Sequence, residues 1–246
     1  MHITCKNCSQ IFKGHYCNNC GQTADTNRLD FHYLRHQFKH GLLHFDDGIL
    51  YSGIELFTRP GHSIREFIEG KRIKHFQPIS LVIVLATLYG FLYHYFHIVL
   101  IDNSTKSDNE SKIDFLQFND WIGTHYAWVT LLTIPLYTIG TSIAFRKQRY
   151  NEEEYFILNC YNASQRLFLH IANFPILYHY YSTPNMKTVS LIFYIIDVFF
   201  IYWTNEQFFN KLSLIKTFFL TLLSQFIFII SLIFTVYLVV LIFENI

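Results

Sequence analysis

Of 246 residues, 51% are hydrophobic and 19% aromatic, while only 15% are charged. Soluble domains run nearer a quarter charged, so the chain lacks the charge to cover a water-facing surface and reads as a membrane protein. The net charge of +1 decides nothing as a total, because its placement along the chain is what carries information.

The opening run Met1-His2-Ile3-Thr4-Cys5 has neither a basic n-region nor an apolar h-region. That predicts no cleaved signal peptide, with the first span acting as its own insertion signal. Four of the five cysteines follow at once, as Cys5-x-x-Cys8 and Cys17-x-x-Cys20. A two-residue gap lets both sulfurs of a turn reach one ion, and two such turns close a tetrahedral four-thiolate shell. Gly14 and Gly21 supply the flexible backbone that such turns need. A disulfide pair would require export, where thiols oxidise, and a redox Cys-x-x-Cys belongs at a helix start beside a strand–helix unit, which this segment does not resemble. Structural zinc on Cys5, Cys8, Cys17 and Cys20 is the reading preferred, with all four positions filled and none left for catalysis. The fifth cysteine, Cys160, lies in an apolar run and reads as a packed thiol.

Between 26 and 78 the chain is mixed. Phe31, Leu34, Phe38, Leu42 and Phe45 recur at helical spacing, with His32, His36, His40 and His44 on roughly the opposite face. Such a helix suits a membrane interface, and its histidine ladder reads either as a metal-binding row or, more simply, as a polar face beside anionic headgroups. A second helix is expected from Asp47 to Phe57, then a break at Pro60-Gly61 and a short basic helix through Glu69.

A spanning helix needs about twenty apolar residues. Five segments qualify: 79–101, 121–145, 155–181, 188–204 and 216–243, the fourth being short and holding Asp197. Ten Lys and Arg lie before the first span, including Lys71, Arg72 and Lys74, and Arg146, Lys147 and Arg149 lie between spans two and three. The positive-inside rule then puts the N-terminus in the cytoplasm and the C-terminus outside. The expected architecture is an all-α integral membrane helix bundle of about five spans (79–246). It is preceded by a zinc-ribbon-like knuckle (1–25) and amphipathic interfacial helices (26–78).

Cys5-x-x-Cys8 through Cys17-x-x-Cys20-Gly21-Gln22, then Arg59-Pro60-Gly61, Gly70-Lys71-Arg72 and Pro78, resembles the bacterial family catalogued as domain of unknown function 3667. The resemblance covers about the first hundred residues. It implies a multi-span inner-membrane protein and supplies no activity.

The third span carries Asn159, Asn162, Arg166, His170 and Asn173, at steps that put all five on one helical face, with Gln165 at its margin. An arginine near mid-bilayer costs at least ~2.5–3.5 kcal/mol and should be paired. Asp197 is the acid at comparable depth, so an Arg166–Asp197 pair is expected. The stripe reads either as the lining of a cavity for a polar ligand or as hydrogen-bond glue between spans. His94 and His97 belong to the same site or to the outer interface.

An interaction or assembly protein with a cytoplasmic docking knuckle ranks first among functions, with membrane lipids and a cytoplasmic protein as expected partners. A small transporter or lipid-handling protein built on the stripe ranks second, against it the odd span count and the lack of a visible internal repeat. An intramembrane enzyme ranks third, since no His-Glu-x-x-His, Gly-x-Ser-x-Gly or P-loop occurs and Asp46-Asp47 reads as a turn or cap. Nucleic acid is not an expected partner, because the knuckle offers only Lys6 and Lys13 as a basic surface.

Overall fold

The structure, a computed structural model, describes residues 2–24, 26, 29–31, 34–35, 48–98, 121–181 and 183–244. The histidine ladder at His32, His36, His40 and His44 lies outside the described residues, as do Phe38, Leu42, Phe45 and the 99–120 segment.

The chain starts with a two-stranded antiparallel hairpin, β1 (Ile3–Thr4) and β2 (Ile11–Phe12), pairing Ile3 with Phe12 and Thr4 with Ile11. Two short helices follow, α1 (Gly48–Thr58) and α2 (Pro60–Glu69). Proline at the start of α2 wastes no hydrogen bond there, and Gly70 closes the helix at φ 114°, a conformation open to glycine. The expected break therefore falls at Arg59, with Pro60 and Gly61 already helical.

Five long helices make the bundle: α3 (Pro78–Tyr95), α4 (Tyr126–Ala144), α5 (Glu152–Ala172), α7 (Met186–Phe208) and α8 (Leu214–Glu244); the short α6 (Phe174–Tyr180) sits between α5 and α7. The start of α5 is fixed by a capping box, in which the Asn151 side chain accepts from the Glu154 N–H and the Glu154 carboxylate accepts from the Asn151 N–H. Three glutamates in its first turn complement the helix dipole. One expected span, 155–181, is thus two helices separated at Asn173, with Pro175 in the first turn of the second.

The five long helices run alternately between two ends. At the end carrying the knuckle, the Tyr155 hydroxyl donates to the Phe145 carbonyl at 2.8 Å, and Phe209 stacks on Phe145 with ring centroids 4.1 Å apart. At the far end Tyr126 stacks on Tyr93 at 6.2 Å, and Phe174 meets Phe96 at 5.4 Å. α5 is the central helix, packed against α3, α4 and α7 and, on its knuckle side, against α1 and α2. That explains why Ile157, Leu158, Cys160, Ser164 and Gln165 are all buried.

Four described helices are long and apolar enough to cross a membrane: α3, α4, α7 and the stretch Leu214–Leu238 of α8. The helix that falls short on apolarity is α5, although its 21 residues reach about 31 Å at 1.5 Å per residue. The expected span at 188–204 qualifies and is longer than the sequence suggested, α7 being a full 23-residue helix, whereas the expected span at 155–181 does not qualify.

A four-cysteine cluster, its platform and a polar helix stripe

The cysteines are brought together by two matched turns. The Cys5 N–H donates to the Gln10 carbonyl at 2.9 Å and Ser9 N–H returns to the Cys5 carbonyl at 2.9 Å; Cys17 with Gln22 and Gly21 repeats the pattern at 2.8 and 2.9 Å. Ser9 (φ 61°) and Gly21 (φ 76°) take left-handed backbone at the matched position of these turns, and Gly14 (φ 112°) does so between them. All four Sγ atoms lie within 4.8 Å of one another, with Cys5–Cys20 and Cys8–Cys17 at 3.5 Å. The edge of a tetrahedral shell with metal–sulfur bonds near 2.3 Å is about 3.8 Å, so the donor set fits one metal ion with no open position. Burial pushes the Cys5 thiol up to about 11, while the Gln10 backbone N–H, then the Asn19 side chain, hold Cys8 down at about 6.

This knuckle is fastened to the helices through Gln22. Gln22 Nε2 donates to the Gly70 carbonyl at 2.7 Å, and its Oε1 accepts from the Arg72 N–H at 3.2 Å. Lys6 Nζ donates to the Thr26 carbonyl, and a Cβ on Gly70 would strike the Lys6 side chain at 2.7 Å. Asn151 Nδ2 donates to the Leu29 carbonyl at 2.9 Å, tying the linker to the start of α5.

The platform beneath is α1–α2. Arg59 bridges Glu55 (2.7 Å) and Glu66 (3.2 Å), and Lys71 reaches Glu66 at 2.9 Å. Partial burial works to raise Glu66, but Lys71 and Arg59 outweigh it and hold the carboxyl below its usual range. His75 is buried between Tyr51 (5.2 Å) and Phe67 (5.8 Å), and desolvation drives its imidazole down to about 4. Gly61 lies so close to α7 that a Cβ would sit 2.3 Å from the Phe208 nitrogen and 2.5 Å from the Thr204 carbonyl.

Residues 46–90 match the family described as protein of unknown function, DUF3667. The resemblance carried by Arg59-Pro60-Gly61, Gly70-Lys71-Arg72 and Pro78 is borne out over this stretch; the four cysteines lie outside it. No curated protein and no solved structure matches the chain. The DUF3667 stretch comprises α1, α2, the basic corner and the first three turns of α3, which is the platform just described. Each motif has a physical task there. Gly61 permits the close crossing of α2 over α7, and Gly70 and Arg72 present the backbone groups that Gln22 grips.

The stripe on α5 divides into satisfied and unsatisfied groups. Asn159 Nδ2 donates to the Tyr155 carbonyl (2.9 Å) and to Thr141 on α4 (3.2 Å). Gln165 donates to the Leu56 carbonyl of α1 and accepts from Thr204 of α7 at 3.1 Å, stitching three helices together. Asn173 donates back to the Leu169 carbonyl at 2.8 Å. The expected Arg166–Asp197 bond is replaced by two others. Asp197 takes His170 Nε2 at 3.0 and 3.1 Å, and Arg166 Nη1 donates to the Tyr137 hydroxyl at 2.9 Å with the guanidinium 4.7 Å from that ring. His170 Nδ1 faces the Tyr89 hydroxyl at 3.4 Å, and Tyr89 in turn donates to Tyr93. Asn162 Oδ1 and Arg166 Nε are buried without a partner.

His94 and His97 stand apart from this group, exposed at the far end of α3. Sequence reasoning did not find Tyr137, Tyr89, Thr141 or Thr204. In a chain with 17 tyrosines, no spacing singles out Tyr89 and Tyr137. Gln22 was visible only as the last letter of a Cys-Gly-Gln motif, without its role.

Proposed function

We propose that this chain is a five-span protein of the cytoplasmic (inner) membrane that presents a zinc-stapled, ribbon-like knuckle to the cytoplasm as a docking module for a protein partner. Its role is interaction or assembly, and α3, α4, α5, α7 and α8 are its spans. The carrying observation is the grip of Gln22 on both Gly70 and Arg72, which makes the knuckle a rigid head on the membrane platform instead of a tethered finger. Zinc suits four thiolates at tetrahedral spacing, and a filled shell makes the metal structural. The outward side of the knuckle exposes Ile11 (61%) and Tyr16 (63%), apolar groups on a water-facing module of the kind that anchor protein contacts. Lys6, which donates to the Thr26 carbonyl, and Lys13 are the two lysines of the knuckle, a thin basic surface that favours a protein over a nucleic acid.

The orientation rests on charge. Lys71, Arg72, Lys74, Arg146, Lys147, Arg149, Lys211 and Lys216 all fall at the knuckle end of the described helices, against Lys187 at the far end. Crowding of α5 by its neighbours accounts for a span too polar for lipid, since polar groups inside a membrane face protein.

The test is photo-crosslinking in cells from a reactive amino acid placed at position 16. A protein adduct that disappears with Ile11→Asp, while the purified variant keeps its metal, supports docking. A protein with full metal content and no adduct from positions 11, 13 or 16 contradicts it.

A further inference from the structure

We propose that Arg166 and Asn162 form a binding site for a hydroxyl-bearing phosphate ester, taken up between α4 and α5. This goes beyond the docking role and stands independently of it, because it rests on which members of the stripe are left with open hydrogen-bonding valences. Asn159, Gln165 and His170 are partnered on neighbouring helices, so for them the stripe is interhelical glue, and Asn173 is satisfied by the Leu169 carbonyl of its own helix. Arg166 and Asn162 do not fit that description.

Arg166 is a half-buried cation whose Nε is sealed from solvent with nothing to donate to. Among the described residues no carboxylate bonds to it, Asp197 being bonded to His170 instead. Its one protein bond goes to Tyr137, a neutral acceptor whose other face is stacked on Phe228 at 3.6 Å. A guanidinium in a low-dielectric setting offers a planar fork of donors that matches an oxyanion, and here most of the fork is uncommitted.

One turn away, four residues earlier on the same face, Asn162 is only 4% exposed, and its Oδ1 accepts from nothing. A buried amide oxygen without a donor leaves its desolvation uncompensated, so it marks a place where a donor belongs. The two sites together ask for a ligand with an oxyanion for the guanidinium and a hydroxyl for the amide oxygen. Residues at this spacing have Cβ atoms about 5–6 Å apart, the reach of a polyol phosphate. That chemistry has two sources, a polyol-phosphate lipid headgroup or a free polyol phosphate.

The experiment uses the full chain in phosphatidylcholine nanodiscs, with binding followed by native mass spectrometry against three probes: phosphatidylglycerol, phosphatidylmethanol (anionic, but lacking the hydroxyls) and soluble glycerol 3-phosphate. One saturable phosphatidylglycerol site is expected, binding at least tenfold better than phosphatidylmethanol. Arg166→Gln should lose it at least tenfold, and Asn162→Leu should erase the preference for the hydroxyl-bearing lipid. Displacement by glycerol 3-phosphate assigns the site to the free ester; its failure to displace assigns it to the lipid. Where Arg166→Gln does not fold, Arg166→Lys retains the charge without the fork and should weaken binding severalfold at unchanged melting temperature. Equal binding of all probes, or Arg166 variants that fold and bind like the parent, overturns the proposal. Crosslinking from position 16 is unaffected by any of these variants, so this inference and the docking role fail separately.

Discussion

His75 and His170 show how one residue type serves opposite ends of the same chain. His75 sits in an aromatic slot between Tyr51 and Phe67 and stays neutral to about pH 4, whereas an exposed imidazole titrates at 6.5. The unfolded chain therefore takes up its proton first as the pH falls. Stability contributed by His75 is complete above pH 6.5, declines through the window from 6.5 to about 4, and is lost below it. The total is on the order of 3 kcal/mol. His75→Phe keeps the stacking without the titration, and melting temperatures in detergent should vary less across that window than in the parent. At His170 the partner is a carboxylate in the bundle interior. Asp197→Leu or His170→Leu alone should cost about 3 kcal/mol by stranding the other group, and the double replacement should recover much of it. Additive single losses would mean the two side chains do not stabilise one another. The stripe's spacing was legible in the sequence, but not its pairing. Partner choice depends on how far α4 and α7 rotate toward α5, which places Tyr137 beside Arg166 and Asp197 one turn further on, beside His170.

At the scale of elements, close helix crossings depend on single glycines. A Cβ on Gly61 would meet α7 backbone at 2.3 Å, and one on Gly140 would meet the Ser224 carbonyl of α8 at 2.5 Å. Backbone cannot yield as a flexible side chain does, so Gly61→Ala and Gly140→Ala should each destabilise by about 1–3 kcal/mol. Gly123→Ala, with nothing within 4 Å of the added carbon, should leave the melting temperature unchanged. Equal behaviour of all three would refute these crossings. The apolar runs of α3, α4 and α8 were readable because lipid-facing helices are hydrophobic nearly all round. α5 was harder to place. It is enclosed by other helices, so it needs neither an apolar surface nor a long apolar run, and its end at Asn173 was hidden by the apolar Phe174–Tyr178 that follows.

For the whole molecule, the proposed five-span arrangement puts the two termini on opposite sides of the membrane. A reporter at the N-terminus should behave as cytoplasmic and one at the C-terminus as periplasmic; both reporting the same side would remove α5 from the spans, since it is the helix that lacks apolar length. The motifs at Cys20-Gly21-Gln22 and Gly70-Lys71-Arg72 were legible as separate words. That they form one contact, forty-eight residues apart, came only with the fold. Everything proposed for the cytoplasmic face rests on the knuckle being a metal-closed head. The most direct test is elemental analysis of the purified chain, combined with alkylation of its thiols. One zinc per chain is expected, with Cys5, Cys8, Cys17 and Cys20 protected until a chelator is added, and with zinc lost in a Cys8→Ser/Cys17→Ser variant. A chain that holds no metal, or whose four cysteines are found as two disulfides in cells, would contradict the account.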